Sequence, residues 1–172
     1  MKSNNRRIIP IYAELSGEES CRKVVESFIS ESGGIDSVII LSGSIRFSGH
    51  WYDISEKDWN TEIGQNLSIP FFLARSAMKH MKDSRSGGKI ILTGTESSIH
   101  GGSELSLPYA IAKRGTECMV QGLAREGADS NILVNGLRLG YIKSGFHERW
   151  HNKKKSDIYT EICSRICSTI FR

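Results

Sequence analysis

The sequence lacks any long apolar run. Its longest apolar stretches, residues 38–41 and 69–74, fall far short of the roughly 20 residues that span a bilayer. The N-terminus carries Lys2, Arg6 and Arg7, but the apolar stretch that follows ends at Glu14. This stretch is too short and too interrupted for a secretory signal, so we expect neither export nor a membrane partner.

The sequence also lacks a C-x-x-C pair, an internal repeat and a low-complexity linker. Its four cysteines, Cys21, Cys118, Cys163 and Cys167, are dispersed. Without an export signal, this pattern indicates free thiols in a reducing compartment, which predicts a cytoplasmic protein. The length of 172 residues, with 38% apolar and 24% charged residues, indicates one globular domain.

Positive charge is concentrated in one region. The net charge is +4, and residues 138–172 hold eight Lys or Arg against three Asp or Glu. Such a segment suits nucleic acid, an anionic substrate or simply a solvated surface with a lysine run. No recognised nucleic-acid-binding motif accompanies the charge, so we expect no nucleic-acid partner.

Short β-rich runs alternate with longer amphipathic stretches along the chain. This alternation predicts an α/β protein with a Rossmann-like, doubly wound parallel sheet in three α-β-α layers. In such sheets ligands bind beyond the carboxyl ends of the strands. The predicted strands are residues 7–12, 36–41, 89–94 and 131–139. The predicted helices are one capped by Ser16 with Glu19, one from Ser55 to about Met81 with a kink at Pro70, and residues 109–125.

Four polar residues follow or flank these elements at suggestive spacings. Tyr109 and Lys113 are four residues apart on one predicted helix, which places both side chains on one face. Thr95 follows the 89–94 strand, 14 residues before Tyr109, and Ser97 is the alternative hydroxyl. Asn66 lies in the preceding helix. Taken singly, each residue is equally an ordinary packed or solvated side chain.

In this order and spacing, the four residues resemble the short-chain dehydrogenase/reductase family, and most closely its 3-oxoacyl-acyl-carrier-protein reductase type. The resemblance covers about residues 8–150. It implies an NAD- or NADP-dependent oxidoreductase that reduces a ketone or oxidises an alcohol. By position it implies that Asn66, Thr95, Tyr109 and Lys113 form the catalytic tetrad.

The chemistry fits these residue types. Reduction of a carbonyl needs a proton donor beside the oxygen, and a tyrosine of pKa about 10 is a poor one at neutral pH. A nearby ammonium stabilises the phenolate, so we expect Lys113 to lower the pKa of Tyr109. Thr95 would orient the carbonyl by hydrogen bonding, and the resemblance implies that Asn66 holds a water in a proton relay.

The resemblance also implies a set of cofactor contacts. Glu14 falls where the family has an acidic residue near the adenine, and Gly43 ends the counterpart of an Asn-Asn-Ala-Gly motif. Lys113 would hold the nicotinamide ribose. The implied cofactor-binding residues are therefore Glu14, Gly43, Tyr109, Lys113, Gly140 and Ile142. The implied partners are a small carbonyl or alcohol substrate and further copies of the chain in a homo-oligomer.

The sequence departs from the family at both ends. No Gly-x-x-x-Gly-x-Gly motif occurs in residues 1–35, and no counterpart of the family's final strand follows residue 156. The sequence therefore predicts a single partial domain over residues 1–172, truncated at both ends, in which residues 8–12 have no neighbouring strand. It predicts binding of NADH or NADPH no tighter than about millimolar. An inactive remnant or scaffold of the family is the alternative function.

One motif points elsewhere. His147, Glu148 and His151 match the H-E-x-x-H pattern of zinc hydrolases. The longer form of that pattern needs glycine where Lys154 stands, and the lysines at 153–155 would repel a dication. Zinc hydrolysis is thus a minor alternative, and we expect no metal ligand.

Overall fold

A computed structural model describes residues 7–47 and 49–140. They belong to one compact unit, residues 1–139, except for Gly140, which opens a second unit, residues 140–172. The main elements of the first unit, in chain order, are α1 (Glu18–Ser32), β1 (Ser37–Ile40), α2 (Glu56–Ile63), a π-helical turn (Gly64–Ser68), α3 (Ile69–Asp83), β2 (Gly88–Thr95), α4 (Ser97–His100), α5 (Leu107–Gly127) and β3 (Ile132–Leu139).

The three strands form one parallel sheet in the order β1-β2-β3. Ile39 is in register with Ile91, and Ile90 with Val134. Continuous apolar strands are typical of parallel sheets whose strands are joined by helices. The sheet with its flanking helices confirms the predicted Rossmann-like α/β class, although within the described residues the helices cover one face of the sheet rather than both faces of a three-layer arrangement. The carboxyl ends of β1 and β2 lie at one edge, where Ser42 comes shortly after β1 and Thr95 ends β2.

The core lies between the sheet and three helices. Val25 of α1 and Met78 of α3 pack with Ile90 and Leu92 of β2, and the α5 side chain of Leu123 borders the same cluster. The alternate strand positions Ile39, Leu133 and Leu137 are exposed, so α1, α3 and α5 cover one sheet face. Among the described helices, none has the length and apolar character to cross a bilayer.

The predicted strand over residues 7–12 is wrong. These residues form neither helix nor strand, and the side chains of Ile8 and Tyr12 are 87% and 94% exposed. An extended segment needs a hydrogen-bonding neighbour to become a strand. Within the described residues, the sheet consists of β1, β2 and β3, and residues 7–12 pair with none of them.

The predicted start of the first helix is also wrong. Gly17, not Ser16, is the N-cap, and the Oγ of Ser20 accepts the N–H groups of Ser16 (2.9 Å) and Gly17 (3.1 Å). The capping hydroxyl thus comes from inside the helix, and the box with Glu19 does not form.

The predicted start of the second helix is confirmed. The Ser55 Oγ accepts the N–H of Asp58 at 3.1 Å. The regular α-helix is interrupted earlier than Pro70, by the π-helical turn of residues 64–68, and Pro70 lies in the first turn of α3, where its missing N–H costs little. π-turns of this kind are frequent at functional sites, and this one contains the fully buried Asn66.

Candidate active site

Lys113 is a buried cation at the carboxyl edge of the sheet. Its side chain extends from α5 and is 2% exposed. The Nζ donates hydrogen bonds to the carbonyl oxygens of Ser42 (3.1 Å) and Thr93 (3.0 Å). Burial disfavours the charged form and lowers the pKa of Lys113 to about 8. The ammonium therefore links the end of β2 to the segment after β1.

Gly43 lets the backbone come close to this ammonium. A Cβ at this position would lie 2.7 Å from the Nζ of Lys113 and 3.0 Å from the Oδ1 of Asn66. The φ angle of +140° also lies in the region that favours glycine. Of the residues predicted to bind cofactor, Gly43 is thus brought directly beside Lys113.

Tyr109 lies one helical turn before Lys113 and is 8% exposed. The Nζ of Lys113 is 6.0 Å from the centroid of the Tyr109 ring. Burial raises the pKa of Tyr109, the hydrogen bond with the Thr95 side chain lowers it, and the negative charge of Glu62 raises it further. The net result is a tyrosine that stays protonated through the neutral range.

The expectation that Lys113 lowers the pKa of Tyr109 is not met in this arrangement, because burial outweighs the factors that favour the phenolate. The ammonium directs two of its N–H groups to backbone carbonyls. Its charge therefore serves first to hold the backbone.

Thr95 and Ser97, the two candidate hydroxyls, have different surroundings. The Thr95 side chain is hydrogen-bonded to Tyr109. Ser97 contributes its backbone N–H, which donates to the Thr95 Oγ1 at 3.4 Å. The structure therefore brings Thr95, Tyr109 and Lys113 together at one edge of the sheet.

Asn66 joins the same edge through backbone contacts. Its Oδ1 accepts the Ser44 N–H at 3.0 Å, and its Nδ2 donates to the Ser44 carbonyl at 2.9 Å. The Nδ2 also donates to the Glu62 carboxylate at 2.9 Å. Sequence reasoning missed Glu62. Its position four residues before Asn66 on a helix was the available signal.

The remaining predicted cofactor residues lie in other parts of the chain or outside the described residues. Glu14 is exposed, in the segment without regular structure before α1. Gly140 begins the second unit. Ile142 and the H-E-x-x-H motif of His147, Glu148 and His151 lie outside the described residues. Within those residues, no group of three or more His, Cys, Asp or Glu could hold a metal ion.

The cluster fits the nicotinamide half of a dinucleotide. The Ser42 Oγ is buried and has no hydrogen-bond partner in the part of the chain that the structure describes. It belongs to the residue whose carbonyl binds Lys113, next to the open backbone at Gly43. An unpartnered buried hydroxyl, a buried ammonium and a glycine without a Cβ suit the hydroxyl groups of a ribose.

Burial of Lys113 lowers the stability of the fold by an amount that depends on pH. A pKa of about 8, against 10.5 for a free lysine, corresponds to about 3 kcal/mol of destabilisation below pH 8. The fold binds fewer protons than the unfolded chain between these two values, so its stability rises with pH across that range. Relative to Lys113→Met, the wild type should therefore gain about 2 kcal/mol between about pH 7 and about pH 9.5.

Urea unfolding of both proteins across this pH range measures the effect. Lys57→Met is the matched control, since Lys57 is an exposed lysine on α2. A stability difference between wild type and Lys113→Met that does not change with pH would show that Lys113 keeps an ordinary pKa.

Comparison with known proteins identifies the family of this chain. The short chain dehydrogenase family model matches residues 1–155. The chain is 31% identical over 137 residues to 2-dehydro-3-deoxy-D-gluconate 5-dehydrogenase of Escherichia coli, covering 80% of this chain and 53% of that enzyme. It is 29% identical to versicolorin reductase 1 of Aspergillus parasiticus, covering 84% and 53%. The chain thus spans about half the length of these relatives.

A solved structure gives the same result for the fold. The crystal structure of a putative short-chain alcohol dehydrogenase from Sinorhizobium meliloti superposes with a TM-score of 0.75 at 28% identity, covering 83% of this chain and 57% of that one. The particular likeness to 3-oxoacyl-acyl-carrier-protein reductases is not established by these matches. With a family match over nine-tenths of its length and the expected sheet, the chain belongs to the short-chain dehydrogenase/reductase family.

Proposed function

We propose that this protein carries the catalytic and nicotinamide-side half of an NAD- or NADP-dependent oxidoreductase that reduces a ketone or oxidises an alcohol. Tyr109 is its acid–base residue, Thr95 orients the carbonyl, Lys113 holds the nicotinamide ribose and Asn66 fixes the segment after β1. The observation that carries the proposal is the convergence of buried Lys113, Tyr109 and Thr95 at the carboxyl edge of the sheet.

The roles follow from the contacts of each side chain. When bound, the nicotinamide supplies or accepts a hydride. The Tyr109 hydroxyl, protonated at neutral pH, donates its proton to the oxygen of a carbonyl placed beside it. The Thr95 side chain, already bonded to Tyr109, places a second polar group at that oxygen. Because the pKa of Tyr109 is raised, this arrangement favours reduction at neutral pH and oxidation only in alkaline solution.

The role proposed for Asn66 differs from the family's water-holding one. Its side-chain amide is engaged by Ser44 and Glu62. The side chain therefore positions residues 44–47, and any water in a proton relay would be held by other atoms.

Other features of the chain support proposals about its compartment, its association and its substrate. Cys21 and Cys118 are free thiols, which supports a reducing compartment such as the cytoplasm. Exposed Phe71 on α3 and Ile111 on α5 support association with further copies of the chain. Two relatives are named as a 2-dehydro-3-deoxy-D-gluconate 5-dehydrogenase and a versicolorin reductase, and for this chain we propose a small carbonyl or alcohol substrate.

A pair of hydroxyl variants tests the function. Thr95→Ala should lower kcat for ketone reduction about tenfold, since it removes one hydrogen bond to the reacting group. Ser97→Ala, which keeps the backbone N–H that Ser97 uses, should leave kcat near the wild-type value.

The assay follows loss of NADH or NADPH absorbance at millimolar cofactor with a panel of small ketones. No turnover with any pairing of cofactor and ketone would favour the alternative function, an inactive scaffold. A larger loss in Ser97→Ala than in Thr95→Ala would assign the hydroxyl to Ser97.

A further inference from the structure

Glu62 is a buried carboxylate that the proposed chemistry does not use directly. It lies in the last turn of α2, and its side chain is 1% exposed. Carboxylates are almost never fully buried unless hydrogen-bonded or paired, because desolvation is costly. The contacts of Glu62 therefore indicate what the burial achieves.

Within the described part of the chain, the Glu62 carboxylate accepts three hydrogen bonds. The Oε1 accepts the backbone N–H groups of Phe47, at 2.6 Å, and of Arg46, and the Oε2 accepts the Nδ2 of Asn66 at 2.9 Å. A carboxylate suits this set because both of its oxygens accept. Glutamine would place a donor opposite one of these donors.

Glu62 and Asn66 act on one segment. Asn66 binds the N–H and the carbonyl of Ser44, and Glu62 binds the N–H groups of Arg46 and Phe47. The segment follows Gly43, whose backbone lies against Lys113. Two side chains four residues apart, one of them in the π-helical turn, thus fix the loop that forms one wall of the site.

We propose that Glu62 is a positioning residue of the active site, which locks residues 44–47 and Asn66 in place and carries a negative charge that acts on Tyr109. The proposal rests on the proposed function for its catalytic consequence. The Nζ of Lys113 lies 6.0 Å from the Tyr109 ring, the Thr95 side chain is hydrogen-bonded to Tyr109, and the charge of Glu62 acts on Tyr109 from α2. The charge of Glu62 opposes formation of a second negative charge on the phenolate.

The direction of the effect on Tyr109 supports the same role. Glu62 raises the pKa of Tyr109, in opposition to the Thr95 hydrogen bond. A tyrosine held in its neutral form is a proton donor at neutral pH. Glu62 therefore biases the site toward reduction of a carbonyl rather than oxidation of an alcohol.

Tyrosine titration tests this role without any need for turnover. The absorbance of phenolate near 295 nm is followed with pH in wild type, Glu62→Gln and Glu56→Gln, each with and without Tyr109→Phe. The difference within each pair isolates Tyr109 from the other four tyrosines. Glu56 is the matched control because it is an exposed glutamate on the same helix. We expect the Tyr109 midpoint to fall in Glu62→Gln and to stay unchanged in Glu56→Gln.

Amide hydrogen exchange tests the contacts. In the wild type, the N–H groups of Arg46 and Phe47 should be protected, a result that needs no variant to fold. In Glu62→Asp, which keeps the charge but shortens the side chain, both should exchange at least about tenfold faster.

An unchanged Tyr109 midpoint in Glu62→Gln, or unprotected Arg46 and Phe47 amides in the wild type, would overturn the proposal. Absence of reductase activity alone would contradict the proposed function and leave these two measurements to decide the role of Glu62.

Discussion

Titration of the 172-residue chain with NADH or NADPH should give a dissociation constant no tighter than about millimolar. A pyrophosphate is normally met by backbone N–H groups at a helix N-terminus or by Arg and Lys. Residues 1–35 contain no Gly-x-x-x-Gly-x-Gly turn. Loss of several charge-assisted hydrogen bonds, at roughly 1.5–3 kcal/mol each, weakens binding by orders of magnitude.

The N-termini of two described helices show why a pyrophosphate is not favoured there. The first turn of α1 carries Glu18 and Glu19, and the N–H groups of Ser16 and Gly17 just before it are bonded to the Ser20 Oγ. The first turn of α2 carries Glu56 and Asp58 and is capped by Ser55. Neither N-terminus attracts an anion.

The control ligand is reduced nicotinamide mononucleotide, which keeps the nicotinamide ribose and lacks the adenosine half. The residues proposed to hold the cofactor all lie on its nicotinamide side. The dissociation constant of this mononucleotide should therefore be within about tenfold of that of NADH. Calorimetry measures both constants. A micromolar constant for either dinucleotide would mean that other residues of this chain, or a second copy, supply a phosphate site.

Tyr109→Phe should lower kcat for ketone reduction at least about a hundredfold, the lower range for a positioned general acid. The substitution removes one hydroxyl and keeps the buried ring, so the fold should be retained. Tyr52→Phe, at a mostly exposed tyrosine, is the matched control and should keep the wild-type rate.

The pH dependence of the reduction and oxidation rates is a second test of the role of Tyr109. Burial and Glu62 raise the pKa of Tyr109, so reduction should hold its rate through neutral pH and decline only as the phenol ionises in alkaline solution. The reverse oxidation, which needs the phenolate, should rise over the same range. Initial rates in both directions with millimolar cofactor measure this. An unchanged kcat in Tyr109→Phe would remove the proton-donor role.

Much of the fold followed from local pattern. The apolar runs at 36–41, 89–94 and 131–139 and the Ser55 cap carry their signals within a few residues, and the structure confirms them. Residues 7–12 show the limit of such reasoning. They have a strand-like composition, but a strand also needs a neighbour, and pairing is not encoded in the segment itself.

The positions of the site residues could be predicted from the sequence, but their electrostatics could not. The spacing of Tyr109, Lys113 and Thr95 placed three side chains at one sheet edge, where the structure has them. Electrostatics depend on burial, which spacing does not reveal. The effect of Lys113 on Tyr109 was therefore misjudged, and the buried carboxylate of Glu62 went unseen because its partners are backbone N–H groups after a different strand.

Transfer of deuterium from the reduced cofactor to a ketone tests whether this chain performs hydride chemistry with Tyr109 as the proton donor. The chain is incubated with a ketone and millimolar NADPH or NADH that carries deuterium at the reactive position of the nicotinamide, and the alcohol is analysed by mass spectrometry. We expect deuterium at the former carbonyl carbon. Tyr109→Phe should slow the transfer of deuterium at least about a hundredfold, and Tyr52→Phe should leave its rate unchanged. No transfer to any ketone of the panel, or equal transfer by Tyr109→Phe, would contradict this expectation.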